Sequence, residues 1–441
     1  MVLLALFCVG GCSLSSQGAP TPEPTAQPAV QPSPTPLILE ALDPSGCEVH
    51  LWHSMTGAKE AELLDLAERF GEESANGIRV RVEHHSPLPD EVLAAAAAGT
   101  PPDLVVASCE QIGRYARADL IEPVDVYADS ARFGLSALDR FDLWPYVLWG
   151  GCHLPDAVQG PGLFFDRQLI VMYYNATWLD ELGAPSVPTT WEEFRELCNA
   201  ARNPDGNTWG LATALDGSTV VNWIAGLGGQ VVDVNTREAL LDSPEAIAAL
   251  SVLADILQDD CGHCVSGPEK LESFVEGKTL FTFGTTAELD GLSERLGSGQ
   301  PELVWNVSPV PHLTEEPVVG ITGSVLAMLR TTPRQQVAAW LFLRFLLEPA
   351  NDARWAMATG ALPMLRSTKY LPSMQGFMEA RPQYVAALEL LNHARPEPSV
   401  GGWGGIRELL ASAANAVCEG QAAPVEILAS VDSAADLLLR Q

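Results

Sequence analysis

The sequence predicts an α/β fold, because strand and helix patterns alternate along the folded part of the chain. The segments EVHLWHSMTG, AKEAELLDLAERFGEE and IRVRVEHH read in order as a strand, a helix with one apolar face and an alternating strand. The helix PDEVLAAAAAG, which Gly99 ends, and the unbroken apolar strand PDLVVAS follow. A β-α-β-α-β series of this kind builds a parallel sheet, and the unbroken apolar run predicts a strand that is covered on both faces.

A second block with the same alternation predicts further strands and helices. Thr190 stands three residues before Glu193 at the start of the helix PTTWEEFRELCNAAR, which is the pattern of a capping box. Ser243 and Pro244 predict the start of the helix SPEAIAALSVLADILQDD. The other predicted elements are the strands QLIVMYYN, VWNVSPVP and SVLAMLR, the helix and strand in EKLESFVEGKTLFTFGTT, and the helices PRQQVAAWLFLRFLLEP, IRELLASAANAVCEG and PVEILASVDSAADLLLRQ. The sequence contains no repeat of fixed period, which argues against solenoids and propellers.

The composition limits the classes of function. The chain has 441 residues, 25 of them basic and 56 acidic, and a formal net charge of −31. Binding to nucleic acid and docking on anionic lipid both need a basic surface, so this balance argues against both. After the Pro-rich stretch, the sequence has no run of the ~18 consecutive apolar residues that a membrane-spanning helix needs.

The N-terminus predicts a lipid anchor followed by a tether. Residues 6–12, LFCVGGC, resemble a bacterial lipobox, in which the cysteine becomes the first mature residue and carries the lipid. We therefore expect residues 1–11 to be a signal peptide and Cys12 to be lipidated. Residues 12–46 include the segment SLSSQGAPTPEPTAQPAVQPSPTP, whose prolines favour an extended polyproline tether. Residues 1–4 lack the Lys or Arg of a signal peptide, so we expect the true start to lie upstream; otherwise export itself is in doubt.

The cysteines beyond the predicted anchor suit an oxidising compartment. Several of them are expected to pair there, although the sequence does not give the connectivity and an odd number leaves one over. The segment from Cys261 to Cys264 has the spacing of a thioredoxin-type motif, but a helical pattern precedes it, which favours a structural disulfide or unpaired core thiols. The seven residues are Cys47, Cys109, Cys152, Cys198, Cys261, Cys264 and Cys418.

Four separated segments, taken in order, resemble one protein family. They are LWHSMTGAKEAELLDLAERF, MYYNATWLDELGAPSVPTTWEEF, WNVSPVPHLTEEPVVGITGSVLAM and AAWLFLRFLLEPANDARWAMATGALPMLRS. They resemble the extracellular solute-binding proteins of bacterial ABC importers, in the branch that includes maltose-type and glycerol-3-phosphate-type receptors. The resemblance runs from about Cys47 to the C-terminus, and WHSM at 52–55 is similar to glycerol-phosphate receptors in particular.

The resemblance implies a two-lobe, type II periplasmic-binding-protein-like fold that closes on its ligand like a hinged clamp. It places residues 47–152 and 306–350 in lobe I, and residues 153–305 and 351–441 in lobe II. Ligands of such folds bind where the C-terminal ends of strands from both lobes face each other.

The first candidate ligand-binding residues follow from strand ends and from the resemblance. Trp403, in GGWGGI, stands where maltose-type receptors stack an aromatic ring on a sugar; the alternative is a core tryptophan under the last helices. His53, Ser54 and Thr56 end the first strand, where they can exchange hydrogen bonds with hydroxyls or phosphate; the alternative is turn and capping chemistry. Glu110 matches an acidic position of glycerol-phosphate receptors only if one residue is inserted.

Further candidates come from the crossing segments. Thr285 and Thr286 follow the strand TLFTFG, where family members carry a ligand-contacting Ser or Trp. Gly323 and Ser324 match a glycine turn whose backbone N–H commonly reaches the ligand. Arg167 stands where glycerol-phosphate receptors carry a serine pair; it could bind an anionic ligand bidentately, although a surface position is slightly favoured.

Three other features have structural alternatives of equal or greater weight. Trp223 could line lobe II or lie in its core, and residues 173–175 are expected to support the hinge. His84 and His85 are expected to be solvated rather than to bind a metal. The sequence therefore predicts no metal site and no cofactor.

A missing basic residue bears on the ligand. Glycerol-phosphate receptors carry one just before the final helices, whereas PSVGGWGGI has none and presents Trp403 instead. This absence favours a neutral carbohydrate over a phosphate ester as the ligand. The sequence as a whole therefore predicts a lipid-anchored, monomeric, non-enzymatic receptor that delivers a carbohydrate to an ABC permease. A receptor for glycerol 3-phosphate or a related polyol phosphate is the alternative. A tethered hydrolase or oxidoreductase ranks lower, because the sequence has no Gly-x-Ser-x-Gly, His-Glu-x-x-His or phosphate-binding glycine motif. A sensory or adhesive lipoprotein with the same fold stays open.

Overall fold

The computed structural model describes residues 39–148, 152, 160–299, 303–398 and 400–440. The predicted signal peptide, Cys12 and the predicted tether as far as residue 38 lie outside the described residues. The strands are β1 Glu48–His53, β2 Arg79–His84, β3 Leu104–Ala107, β4 Gly162–Asn175, β5 Trp209–Thr213, β6 Val232–Asp233, β7 Glu238–Ala239, β8 Gly262–Cys264, β9 Thr279–Thr285, β10 Trp305–Ser308, β11 Val319–Met328 and β12 Ala394–Pro396.

Helices connect and cover these strands. They are α1 Ala58–Glu73, α2 Leu88–Ala97, α3 Cys109–Arg117, α4 Asp125–Ala128, α5 Ala137–Asp142, α6 Ala176–Glu181, α7 Trp191–Ala201, α8 Gly217–Gly226, α9 Pro244–Gln258, α10 Gly267–Val275, α11 Leu289–Gly299, α12 Pro333–Leu346, α13 Pro349–Thr359, α14 Pro372–Glu379, α15 Pro382–Glu389, α16 Trp403–Cys418 and α17 Pro424–Leu439. Within the described ranges, no helix combines the length and the apolar character that crossing a membrane requires.

The sheet has two parallel groups of strands that long antiparallel strands join. Its order is β2-β1-β3-β11-β4-β9-β5-β8, with β10 paired to β4 and β12 paired to β11. β1 is parallel to β2 and β3, and β5 is parallel to β8 and β9. The first half of β4 pairs with β11 and its second half pairs with β9, so this strand passes from one group to the other. The predicted β-α-β-α-β start of the fold is confirmed.

Local sequence signals set several of these boundaries. The Thr190 hydroxyl accepts from the Glu193 N–H while the Glu193 carboxylate accepts from the Thr190 N–H, which confirms the predicted capping box. Ser243 caps α9 by accepting from the Ala246 N–H. β3 is buried at every position, as its unbroken apolar run predicted. The strand β5, which contains Gly210, and the helix α8, which begins at Gly217, are among the elements that were not predicted.

Two hydrophobic cores accompany the two parallel groups. The first core includes buried side chains of β1, β3, α12 and α13, and the second includes those of α7, α8, α9, α16 and α17. Residues 351–394, which the resemblance assigned to lobe II, contribute their buried apolar side chains to the first core. There, α13 lies against α1, and Arg354 Nε lies 3.0 Å from Glu62 Oε1. The lobe boundaries stay a prediction, and the two cores give the grouping used below.

Two disulfides support these cores. Cys109 pairs with Cys152, and Cys264 pairs with Cys418. The first ties the start of α3 to the segment before β4, and the second ties β8 to the end of α16. Cys261 is therefore not bonded to Cys264, so the CxxC spacing does not form a redox pair. The remaining cysteines among the described residues, Cys47, Cys198 and Cys261, are buried free thiols.

Candidate ligand-binding cleft

A polar pocket opens at the carboxyl ends of β1 and β3. Its volume is about 630 Å³, and its polar lining includes Ser54, Thr56, Ser108, Gln111 and Ser324. These side chains meet because β1 and β3 are parallel neighbours, so the residues that follow them reach the same edge of the sheet. Hydroxyl and amide groups can both donate and accept, and a ligand rich in hydroxyls needs both kinds of partner.

An ion pair is part of the lining of this pocket. Lys59 Nζ, in the first turn of α1, lies 2.7 Å from Oδ2 of Asp166 on β4. The other carboxylate oxygen of Asp166, Oδ1, is buried and has no hydrogen-bond partner. A buried acceptor without a partner costs free energy, so a ligand hydroxyl that donates to Oδ1 would bind favourably there.

A second, narrower pocket lies between the two cores. Its volume is about 40 Å³, and Glu110 and Gly323 line it from the first core while Trp403 and Arg407 line it from the second. Ser108 lines both this pocket and the larger one, and Gly323 and Ser324 are consecutive in the chain, so the two pockets are neighbours and are together called the cleft below. Glu110 Oε2 lies 3.9 Å from Arg407 Nη2, which brings opposite charges of the two sides together.

Trp403 is held at this narrow point by a hydrogen bond. Its indole Nε1 donates to Oε2 of Glu397 at 2.9 Å, and the residue is only 2% exposed. Glu397 Oε2 is also 3.7 Å from Arg407 Nη1, whereas Glu397 Oε1 and Arg407 Nε are buried without a partner. The indole belongs to the second core and also borders the narrow pocket, so its core role is confirmed, whereas stacking on a sugar stays a prediction.

A third cavity of about 290 Å³ adjoins the narrow pocket through Pro396, Glu397 and Pro398. On its wall, Asn222 Oδ1 accepts from the Gly320 N–H at 2.6 Å, and Asn222 Nδ2 is buried without a partner. The cavity joins α8 to the crossing strands β4 and β11.

His53 lies beneath the cleft rather than in it. It is 1% exposed, and its Nδ1 accepts from the Met55 N–H at 3.1 Å. Burial lowers the pKa of His53, although the nearby Glu60 carboxylate opposes this change. The imidazole therefore fixes the backbone turn that presents Ser54 to the pocket.

His53, Glu60 and His84 form the one cluster among the described residues with the residue types and spacing of a metal site. Glu60 Oε1 lies 3.9 Å from His53 Nε2 and 3.5 Å from His84 Nδ1. The Met55 backbone fixes both tautomers: His53 Nδ1 accepts from Met55 N, and His84 Nδ1 donates to Met55 O. Both ring nitrogens that face Glu60 therefore carry protons. Metal binding requires a free nitrogen lone pair, so this arrangement suits a carboxylate rather than an ion.

Besides His53, four predicted site residues lie away from the three cavities. Arg167, expected at the cleft or on the surface, is fully buried in the first core, and burial lowers its pKa to about 10. Asp166 and Arg167 are neighbours on β4, and alternation along the strand sends their side chains to opposite faces. Trp223 is fully buried in the second core, with its ring centre 4.5 Å from that of Trp191. The Thr286 hydroxyl donates to Gln168, and the Thr285 carbonyl accepts from Tyr173.

The structure therefore brings six predicted residues to the cleft: Ser54, Thr56, Glu110, Gly323, Ser324 and Trp403. The sequence analysis did not identify Lys59, Ser108, Asp166, Glu397 or Arg407. The signal for Ser108 was available, because a serine after a buried strand and three residues before Gln111 predicts a helix cap at a strand end. No local signal identifies Asp166, whose partner is distant in the sequence.

Comparison with known proteins identifies the family. Residues 65–375 match the model of the family of bacterial extracellular solute-binding proteins. The chain belongs to this family. It is 24% identical to the sn-glycerol-3-phosphate-binding periplasmic protein UgpB of Pectobacterium atrosepticum, over 89% of this chain and 91% of that protein. It is 21% identical to the maltotriose-binding protein of Pyrococcus abyssi, over 82% of this chain and 76% of that protein.

A solved structure shows the same fold. The sugar-binding protein MalE of Xanthomonas citri superposes with a TM-score of 0.77 at 20% identity, over 89% of this chain and 97% of that one. The two-lobe α/β fold is therefore confirmed, and so is the resemblance to both the maltose-type and the glycerol-3-phosphate-type branches.

Proposed function

We propose that this protein is the substrate-binding component of an ABC importer and that it captures a neutral carbohydrate between its two lobes. The observation that carries the proposal is the cleft of two neighbouring pockets, where hydroxyl side chains and the Asp166 carboxylate line one pocket and Trp403 lines the other. An indole face suits the C–H face of a sugar ring, and the hydroxyl-bearing side chains suit its hydroxyl edge. Closure of the lobes buries the ligand, and the closed form docks on a membrane permease.

The charges of the cleft favour a neutral sugar over a polyol phosphate. Among the described residues, Lys59 and Arg407 are the cations that line the two neighbouring pockets of the cleft. Lys59 is paired with Asp166 at 2.7 Å, and Arg407 faces both Glu110 at 3.9 Å and Glu397 at 3.7 Å. A phosphate group binds most strongly to cations that are free to pair with it. Glycerol 3-phosphate, for which the Pectobacterium atrosepticum relative is named, remains the second candidate.

We further propose that the protein binds its ligand without changing it. In the described part of the chain, no hydrogen bond joins Ser54, Ser108 or Ser324 to a histidine, so none of the cleft serines has the base that a nucleophile requires. The Ser108 hydroxyl instead caps α3 by accepting from the Gln111 N–H. An enzyme would turn over an ester or a glycoside under the conditions in which this protein only binds.

Extracellular location and membrane attachment follow from different observations. The chain belongs to a family of extracellular proteins. We infer attachment through a lipid on Cys12, with the folded part held off the outer face of the membrane by the Pro-rich segment. Fractionation of cells that produce a Cys12→Ala variant tests this: release into the soluble extracytoplasmic fraction supports the anchor, and unchanged membrane association contradicts it.

Isothermal titration with a panel of maltooligosaccharides, polyols and glycerol 3-phosphate tests the ligand. We expect saturable binding of one carbohydrate, with an affinity that changes little between low and high salt because a neutral ligand has no charge to screen. Binding of glycerol 3-phosphate that weakens steeply with salt would establish the second candidate instead. Flat titrations across the panel, together with turnover of an ester or a glycoside, would contradict a binding protein.

The role of Trp403 is tested with two variants. Trp403→Phe keeps an aromatic face and should retain most of the affinity, whereas Trp403→Leu should weaken carbohydrate binding by about tenfold or more because stacking is lost. Trp209→Leu is the matched control, because Trp209 lies on β5 against His263 and outside the cleft. Circular dichroism of each variant checks that the second core is intact. Equal affinity of folded Trp403→Leu and wild type would remove the stacking role.

A further inference from the structure

Two buried thiols in the second core lie side by side. Cys198, on α7, and Cys261, at the residue before β8, are both fully buried, and their side chains hydrogen-bond to each other. Gly210, on the neighbouring strand β5, contacts both cysteines. Its N–H donates to the Cys261 carbonyl at 2.8 Å, and Cys198 fills the space that a side chain at this position would need. A Cβ on Gly210 would lie 2.2 Å from the Cys198 Cα. The glycine therefore allows the two cysteine-bearing segments to approach closely.

A polar clamp fixes the relative position of these segments. Arg195 Nε and Nη2 donate to the two carboxylate oxygens of Asp259 at 2.5 and 2.9 Å. Asn199 Nδ2 donates to the same carboxylate at 3.2 Å, and Arg202 Nε donates to the Asp260 carbonyl at 2.6 Å. Arg195 and Asn199 lie on α7 and Arg202 directly follows it, so the donors stand on either side of Cys198, and both acceptors immediately precede Cys261. The clamp therefore fixes the segment of Cys198 against the segment of Cys261.

We propose that Cys198 and Cys261 form a third disulfide when the protein folds in an oxidising compartment. The two thiols lose two protons, an Sγ–Sγ bond forms, and the two electrons reduce the disulfide of an oxidant, such as a thiol–disulfide oxidoreductase or oxidised glutathione, to two thiols. The reaction takes place during folding, before α7 closes over the pair. In the folded structure the clamp places the segment of Cys261 against the segment of Cys198, whereas Cys264 is bonded to Cys418.

In the folded structure the two thiols interact: the hydrogen bond from Cys198 lowers the pKa of Cys261, whereas burial raises the pKa of Cys198. With Cys264–Cys418 in place, the new bond would link α7, β8 and α16 into one covalent unit. The second lobe would then move as a rigid body during closure.

Peptide mapping tests the bond directly. Trypsin cleaves this sequence into fragments 196–202, 238–270 and 408–440, which carry Cys198, Cys261 with Cys264, and Cys418, respectively. After refolding with oxidised glutathione and alkylation at acidic pH, we expect the three fragments to appear as one covalent assembly. A Cys264→Ala variant should still yield 196–202 joined to 238–270. Recovery of 196–202 as an alkylated free thiol, or joined to a fragment other than 238–270, would overturn the proposal.

Thermal unfolding gives a second readout with a matched control. A bond that closes the chain from Cys198 to Cys261 should raise the Tm by roughly 5 °C. We therefore expect Cys198→Ala to lower the Tm of the oxidised protein more than that of the protein refolded and kept in reductant. Cys47→Ala removes a buried thiol that stands alone and should lower the Tm equally in both. Identical redox responses of the two variants would contradict the bond.

Discussion

Replacing Gly323 with alanine is expected to lower the free energy of unfolding by about 3 to 5 kcal/mol and to abolish ligand binding. Gly323 has a φ of +141°, and a Cβ at this position would lie 1.7 Å from the backbone carbonyl oxygen of Asp166. The clash is with backbone, so a side-chain rotation cannot relieve it. The pairing of β11 with β4 would have to separate there, at the point where the ladder shifts register between Ser324 and Val325.

The loss of binding follows from the position of this glycine. Gly323 faces Arg167 across the ladder and Ser324 faces Asp166, so separation of the strands moves both Ser324 and Asp166 out of the cleft. Urea unfolding and isothermal titration measure the two effects. Gly376→Ala is the control, because Gly376 lies in α14 with open space where a Cβ would be, and this change should be neutral or slightly stabilising. A Gly323→Ala protein with unchanged stability would show that the strands are not paired as described.

Replacing Asp352 with asparagine is expected to lower the free energy of unfolding by about 4 kcal/mol at neutral pH. The buried carboxylate accepts from the Met364 N–H at 2.8 Å, the Leu365 N–H at 3.0 Å and the Thr368 hydroxyl at 2.5 Å. It is also the main favourable charge near the buried guanidinium of Arg167, whose nitrogens have no hydrogen-bond partner among the described residues. An amide has one acceptor oxygen, so at least one donor would be left unpaired, and Arg167 would lose its counter-charge. Asp129→Asn, an exposed residue with the same chemical change, is the control.

The Asp352 carboxylate is expected to make the stability of the folded protein decrease as the pH rises from 5 to 7. Burial raises the pKa of Asp352 from 3.8 to about 6, against the opposing effects of its three donors and of Arg167. Between these two pH values the folded state binds more protons than the unfolded state, so its stability falls as the pH rises. We expect wild type, measured relative to Asp352→Asn, to be about 1 kcal/mol more stable at pH 5 than at pH 7. Parallel stability curves for the two proteins across this range would contradict the raised pKa.

Much of the fold could be predicted from local sequence because its signals are local. The helix α7 begins where Thr190 and Glu193 predict it, and the unbroken apolar run of β3 matches complete burial. The strand β5, which contains Gly210, was not predicted. The structure gives that glycine a reason, since the space of its side chain is filled by Cys198. A residue selected by a distant contact carries no signal in its own neighbourhood.

The sequence predicted cleft residues that stand at the carboxyl end of a predicted strand. Ser54 and Thr56 follow β1, and parallel strands bring the residues at their carboxyl ends to one edge. Arg167 shows where this reasoning fails: the sequence places it in the crossing segment, but only the register of β4 against β11 decides which face its side chain takes. Asp166 therefore faces the cleft, and Arg167 is buried on the opposite face.

The sequence by itself determined the α/β class, the order of most elements, the acidic charge and the family. Only the tertiary structure decided which cysteines pair, which charges of the cleft are neutralised, and that Trp403 serves both a core and a cleft wall. The physical reason is distance along the chain. Element type depends on neighbours within a few residues, whereas Lys59 and Asp166, or Glu110 and Arg407, meet only after the strands have paired and the two cores have packed.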